Sequence, residues 1–232
     1  MSKLKWLWLE CNDTVAKVTN AILGQTFDLE TGRGFIKVSK SKESISGVFI
    51  ERTISREHTV DPFGATSEME TVRYQSTQIK VYIGFEQSGF LLEVIDPPRS
   101  IKTLVTELAN ILNQLTVKEL AFPILKIYER LKKKSPRARI TRLIARGLAI
   151  SQASEIKVEV HSSEDAFQDF NLKFPEAVER VEKIRIERAF SHGTGPLEIS
   201  ANGLCLFDES LEEEVRALIL DMVGNNAVAI KI

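Results

Sequence analysis

The stretch that decides how the chain is read is residues 119–150, ELAFPILKIYERLKKKSPRARITRLIARGLAI. It carries nine Lys or Arg against two Glu, a local charge of +7. Residues 1–118 hold 14 basic and 14 acidic side chains, whereas residues 151–232 hold 8 basic and 16 acidic. The net charge of −1 is therefore a cancellation between a basic centre and an acidic C-terminal part.

The spacing within this stretch predicts two helices. Leu120, Ile124, Leu125, Ile127, Tyr128 and Leu131 recur at threes and fours over residues 117–133, the period of an amphipathic helix. Pro123 lacks the amide proton of a helix interior and is expected to kink that helix or mark its first turn. Ser135 suits an N-cap and Pro136 a first helical position. At about 100° per residue, Arg139, Arg142 and Arg146 fall within a roughly 60° sector, with Ile140, Leu143, Ile144 and Leu148 on the other side. The expected product is a basic helical pair whose second member wears a cationic stripe.

Three uses of that stripe follow from its chemistry. Arginines at this spacing, beside Lys132, Lys133, Lys134 and Arg137, supply forked donors that track phosphates. They equally suit an acidic surface, either the C-terminal part of this chain or a partner. A solvated outer face is the third. A helix-turn-helix reader is disfavoured, because the turn KKSP has no central Gly and few Asn or Gln accompany the arginines. Contacts of this kind would position without specifying.

Length and composition bound the rest. At 232 residues, with 43% hydrophobic and 27% charged content, the chain suits one large domain or two smaller ones. No apolar run approaches the roughly 20 residues of a transmembrane helix. The start, MSKLKWLWLECND, lacks the long apolar core and cleavage site of a signal peptide. Cys11 and Cys205 stand alone, with no CxxC and no zinc spacing, which favours a reducing, cytoplasmic setting without disulfides.

Read in order, residues 4–9 predict a strand in which Trp6 and Trp8 share one face. Asn12 or Asp13 is expected to cap a helix ended by Gly24. Strands are expected over 46–55, 69–85 and 90–95, with residues 56–68 (REHTVDPFGATSE) as a polar loop between the first two. Ser100 is the expected cap of a helix along Leu104, Leu108 and Ile111. Beyond the basic centre come a strand at 156–160, a short helix capped by Ser162 or Ser163, and a strand or helix–strand junction at 181–190. A hairpin across Asn202-Gly203 follows. An acidic-started helix from 208 and a terminal strand at 227–232 complete the chain.

Gly32-Arg33-Gly34-Phe35-Ile36-Lys37-Val38 resembles part of the octapeptide of the RNA-recognition motif. The match covers Gly32, Gly34, Phe35 and, loosely, Ile36. Arg33 and Val38 stand where that family has base-stacking aromatics, and the family has a further strand between its first helix and this one. A Gly-rich hairpin turn accounts for these residues. No helix follows Gly34 whose N-terminus would hold a phosphate.

No hydrolase, metalloprotease, phosphate-loop, kinase or deaminase signature occurs. The histidines lie at 58, 161 and 192, and His58 and His192 fall in expected loops, where with Asp61 they offer an acid/base site for a hydrolase or nuclease. Asp61, Glu93 and Asp96 are the carboxylates that a metal-dependent nuclease would draw on. The expectation is an α+β fold of two mainly antiparallel lobes, 1–116 and 151–232, joined by a basic helical hinge at 117–150. Its expected function is that of a non-enzymatic binding protein without cofactor or metal. Lys132, Lys133, Lys134, Arg137, Arg139, Arg142 and Arg146 would contact nucleic acid or an acidic protein. The alternatives are the His58/Asp61/His192 enzyme and a homo-oligomer joining the basic centre of one copy to the acidic tail of another.

Overall fold

The computed structural model describes residues 1–60, 62–64, 66–84, 89–151, 154–190, 195–224 and 229–230. Of the described residues 46% are strand and 29% helix, and the sheet is mostly antiparallel. Two compact units are formed, one by Leu9–Val117 and the other by Met1–Trp8 with Lys118–Ile232. The expected pair of lobes joined by a basic helical pair does not occur. Residues 139–151 are a strand inside the sheet of the second unit, and the helices are few and short.

The chain opens with β1 (Ser2–Glu10). In the Leu9–Val117 unit, α1 (Val15–Gly24) is capped by Thr14, whose hydroxyl accepts from the Lys17 amide at 3.4 Å. Asp13, one of the expected caps, instead accepts from the backbone amide of Asn113 at 2.7 Å and from its side chain at 3.0 Å. Those bonds hold the Asp13 carboxyl below the usual carboxylate range. Four strands follow in the spatial order β2 (Arg33–Lys40), β3 (Ser44–Val60), β4 (Thr66–Tyr82) and β5 (Phe90–Ile95), all antiparallel. Val18 and Ile22 of α1 join Phe35, Phe49, Ile79, Val81 and Val94 in the core, with Leu104 and Leu108 of α2 (Lys102–Ile111). Ser100, the expected cap, accepts from the Lys102 amide at 3.3 Å but stands one residue ahead of the N-cap, Ile101.

The polar loop expected at 56–68 is largely strand. β3 and β4 keep one unbroken register from Ser44 opposite Tyr82 to Val60 opposite Thr66. Sequence periodicity reports burial rather than extension, so strand residues that face no core look like loop.

The second unit places β1 beside β11 (Leu204–Phe207), then β10 (Leu197–Ser200), β9 (Val181–Glu187), β7 (Arg139–Ser151) and β8 (Ser154–His161). β6 (Thr116–Ala121) pairs with β1 and with β12 (Ala229–Ile230). One buried rung crosses this sheet through Leu4, Cys205, Ile199, Ile184 and Leu143, which are registered partners on successive strands. Ile140, Ile186, Leu197 and Phe207 form the next rung. Burying each such side chain fully contributes about 1.5–3 kcal/mol. Burial also pushes the Cys205 thiol up to about 12. The helices α3 (Ile124–Lys134), α4 (Ala166–Lys173) and α5 (Glu212–Gly224) add Ile127, Leu131, Phe170, Val215 and Ile219 to the buried set.

β7 explains the misread helix. Opposite β9 its register slips between Ile140 and Arg142, and opposite β8 between Ala145 and Leu148. Each slip is a bulge, an extra residue that delays the return of the outward face by one position. Gly147 supplies the positive φ (70°) for the second slip. The first bulge stretches a period of two to a spacing of three between Arg139 and Arg142, and Arg146 follows two pleats later, so the three arginines imitate one helix face. Ser135, the expected N-cap, is instead the C-cap of α3, and its hydroxyl donates to the Arg188 carbonyl at 2.9 Å. Pro123 stands at the N-cap of α3.

At 203 the expected Asn-Gly turn joins β10 to β11, with Gly203 at φ 82°. A Cβ there would lie 2.7 Å from the Trp6 carbonyl oxygen, so the turn requires Gly. The short helix at 166 is capped by Asp165 rather than Ser162 or Ser163, with its carboxylate accepting from the Phe167 amide at 3.1 Å.

Candidate charged sheet face and basic corner

The face opposite the buried rungs is polar. Lys3, Leu206, Glu198, Arg185, Arg142 and His161 follow one another across β1, β11, β10, β9, β7 and β8. Arg142 therefore lies between a cation and an imidazole on its neighbouring strands. Two carboxylates hold it there: its Nε donates to Glu159 at 2.8 Å, and Nη1 lies 3.9 Å from Glu198. Lys183 also engages Glu198, a buried carboxylate. His161 Nε2 meets Glu159 at 2.9 Å and Lys157 meets it at 3.4 Å. The His161 hydrogen bond, with help from Arg142, holds the Glu159 carboxyl below its ordinary range.

The other two arginines of the stripe are held likewise. Arg139 pairs with Glu187 at 2.9 Å and donates to the Ser163 carbonyl at 2.7 Å. Arg146 lies 3.2 Å from Glu182, on the rim of a depression of about 380 Å³ lined also by Lys183, Ser200 and Asn202. The side chains of Arg139, Arg142 and Arg146 are 41%, 34% and 60% exposed, so they are surface groups engaged by acids of the same unit. Those acids belong to the negative C-terminal part. Their alternation in IKVEV and EKIRIE gave the only signal in the sequence, since pairing between distant strands leaves no local pattern.

The remaining basic residues gather at one corner. Lys132 is half-exposed and engaged within its own unit, contacting the Tyr128 hydroxyl at 3.0 Å and Asp165 at 3.2 Å. Its bond to Tyr128 raises the Lys132 pKa, and burial raises that of Tyr128. Lys133 and Lys134, in the last turn of α3, are exposed, as are Arg137 and Arg188. The turn from Ser135 to Ala138, closed by an amide-to-carbonyl bond of 2.9 Å, carries Arg137, and the Ser135 hydroxyl ties it to Arg188.

His58 is an exposed residue of β3 opposite Glu68, while Asp61 and His192 lie outside the described residues. Glu93 is fully buried and accepts from the Tyr82 hydroxyl at 2.6 Å, and Asp96 is an exposed residue with φ 45°. Among the described residues no group of three or more His, Cys, Asp or Glu is placed to hold a metal ion. No helix among them is long and apolar enough to cross a membrane. No protein-family model matches the chain, and no curated protein matches it.

Proposed function

We propose that this chain is a non-enzymatic interaction protein whose basic corner, Lys133, Lys134 and Arg137, receives an acidic protein surface. The observation that carries this reading is the division of the basic segment into two groups. Arg139, Arg142 and Arg146 meet carboxylates of their own unit, whereas Lys133, Lys134 and Arg137 are exposed together at the end of α3. A nucleic-acid backbone laid along the stripe would have to displace Glu187, Glu159 and Glu182 and would meet their charge as it approached. A compact corner of cations suits a short acidic segment, where complementary charge sets orientation and encounter rate.

The test is fluorescence anisotropy with a labelled oligoglutamate peptide and a labelled 20-bp duplex, at about 50 and 200 mM salt. The peptide is expected to bind at the lower salt, to weaken at the higher, and to be lost in the triple variant Lys133→Glu/Lys134→Glu/Arg137→Glu. Arg142→Gln/Arg146→Gln should retain it. Tight duplex binding with a steep salt slope, flattened by Arg139→Gln/Arg142→Gln/Arg146→Gln, would replace this reading with the nucleic-acid one.

A further inference from the structure

The outer half of the β3–β4 hairpin has a face but no core behind it. The register of β2 on β3 ends at Glu51, and that of β5 on β4 ends at Gln78. Among the described residues no third strand pairs with 52–60 or with 66–77. Nine residues at about 3.3 Å each make a two-stranded ribbon about 30 Å long. Ribbons of two strands are marginal alone in water, so this one calls for a cover. Its two faces differ. One carries Thr53, Ser55, Thr59, Ser67 and Thr71 with Glu57, Met69 and Arg73. The other carries Arg52, Ile54, Arg56 and His58 on β3, opposite Tyr74, Val72, Glu70 and Glu68 on β4. Ile54, Val72 and Tyr74 on this second face are 43%, 44% and 58% exposed.

We infer that this second face is a self-association surface, covered by the same face of a second copy of the chain. The argument is its complementarity to itself. Within the arm Arg56 already meets Glu70 at 3.2 Å and Glu68 at 3.8 Å, and Ile54 lies opposite Val72. A two-fold axis along the ribbon lays the β3 row of one copy over the β4 row of the other. Beyond Tyr74, which Phe27 of its own chain meets edge-on at 6.2 Å, every complementary pair is then repeated between copies: Ile54 on Val72, Arg56 on Glu70, His58 on Glu68. Such reciprocity is what a two-fold interface demands. A polyanion is the wrong occupant, because Arg52, Arg56 and Arg73 are balanced by Glu57, Glu68 and Glu70. A face about 30 Å by 10 Å would bury roughly 600 Å² in all, below the size of stable specific interfaces, so association is weak, with a dissociation constant of tens of micromolar or above.

The test is sedimentation equilibrium of the full chain between about 5 and 500 µM, a range chosen for a weak interface. The wild type is expected to move from monomer to dimer. Arg56→Glu alone and Glu70→Arg alone should each raise the dissociation constant at least about tenfold, since each sets like charges against each other twice in a symmetric pair. Mixing the two variants one to one should restore dimers, because each altered residue then meets its opposite across the interface. A role confined to one arm cannot give this rescue, since mixing leaves the mismatch inside each chain. Thr53→Asp/Ser55→Asp, on the hydroxyl face, should leave association unchanged, and circular dichroism confirms that each variant folds. A wild type that stays monomeric throughout gives the arm to another protein and overturns the inference, as does a dimer indifferent to Arg56→Glu or a mixture that fails to re-associate.

Discussion

The β3–β4 arm and β7 are opposite solutions to the same backbone problem. The arm keeps perfect pairing over its whole length, yet buries little. β7 breaks register against both of its neighbours, yet sends Ile140, Leu143 and Ala145 into the core with 0% exposure. Regularity and burial are thus independent. A strand without a core can alternate cleanly, and a strand inside a sheet can lose its alternation to bulges while keeping every inward position filled.

The largest difference should appear on truncation. Leu143→Ala in β7 removes a fully buried side chain from a rung with Ile184 on the next strand and is expected to lower stability by about 2–5 kcal/mol. Ile54→Ala on the arm should change it by less than about 0.5 kcal/mol at concentrations where the chain is monomeric. Urea midpoints at low micromolar protein measure both. Equal losses would mean that the arm has a core of its own and would erase the contrast.

The bulge itself is tested at Gly147. Its φ of 70° strains any residue with a Cβ, and that Cβ would approach Arg180 Nη1 at 3.3 Å, the mobile end of a side chain. Gly147→Ala should therefore cost about 1–2 kcal/mol, for backbone strain rather than a clash. Hydrogen exchange at β7 amides in this variant would show whether loss of the bulge loosens the strand or only strains the turn.

Smaller still is the effect of the surface pairs. Arg146→Gln removes a half-exposed partner of Glu182 and should shift stability by no more than about 0.5 kcal/mol, read from the same urea curves. A loss near that of Leu143→Ala would make the stripe a structural element.

The least effect is expected from acid. The native pKa of Glu159 lies below its ordinary value of 4.5, first because of the His161 hydrogen bond. The stability it contributes is present above pH 4.5 and is lost as pH falls through the lower native value. His161→Ala should raise the Glu159 pKa toward 4.5 in an NMR titration, and an unchanged value would assign the shift to Arg142 instead.

How far the sequence alone reached is set by the range over which each interaction acts. Local chemistry was legible. Trp6 and Trp8 in β1, the Gly24 end of α1, the Asn202-Gly203 turn and the apolar side of α3 depend on residues within one turn or one pleat of each other. So was the segregation of charge that set 119–150 against the acidic C-terminal part. What only the tertiary structure decided was where extended chain goes when its pattern is ambiguous. Residues 139–148 satisfy a helical period and a twice-bulged strand equally well, and the neighbouring β8 and β9 settle it by supplying backbone partners on both sides. Residues 56–60 carry no burial signal at all, and their partners 66–70 make them strand. The carboxylates that meet Arg139, Arg142 and Arg146 come from 17 to 56 residues away, from Glu159 to Arg142 at the near end and Glu198 to Arg142 at the far end. Pairing of that kind is created by sheet registration, which no run of adjacent residues encodes.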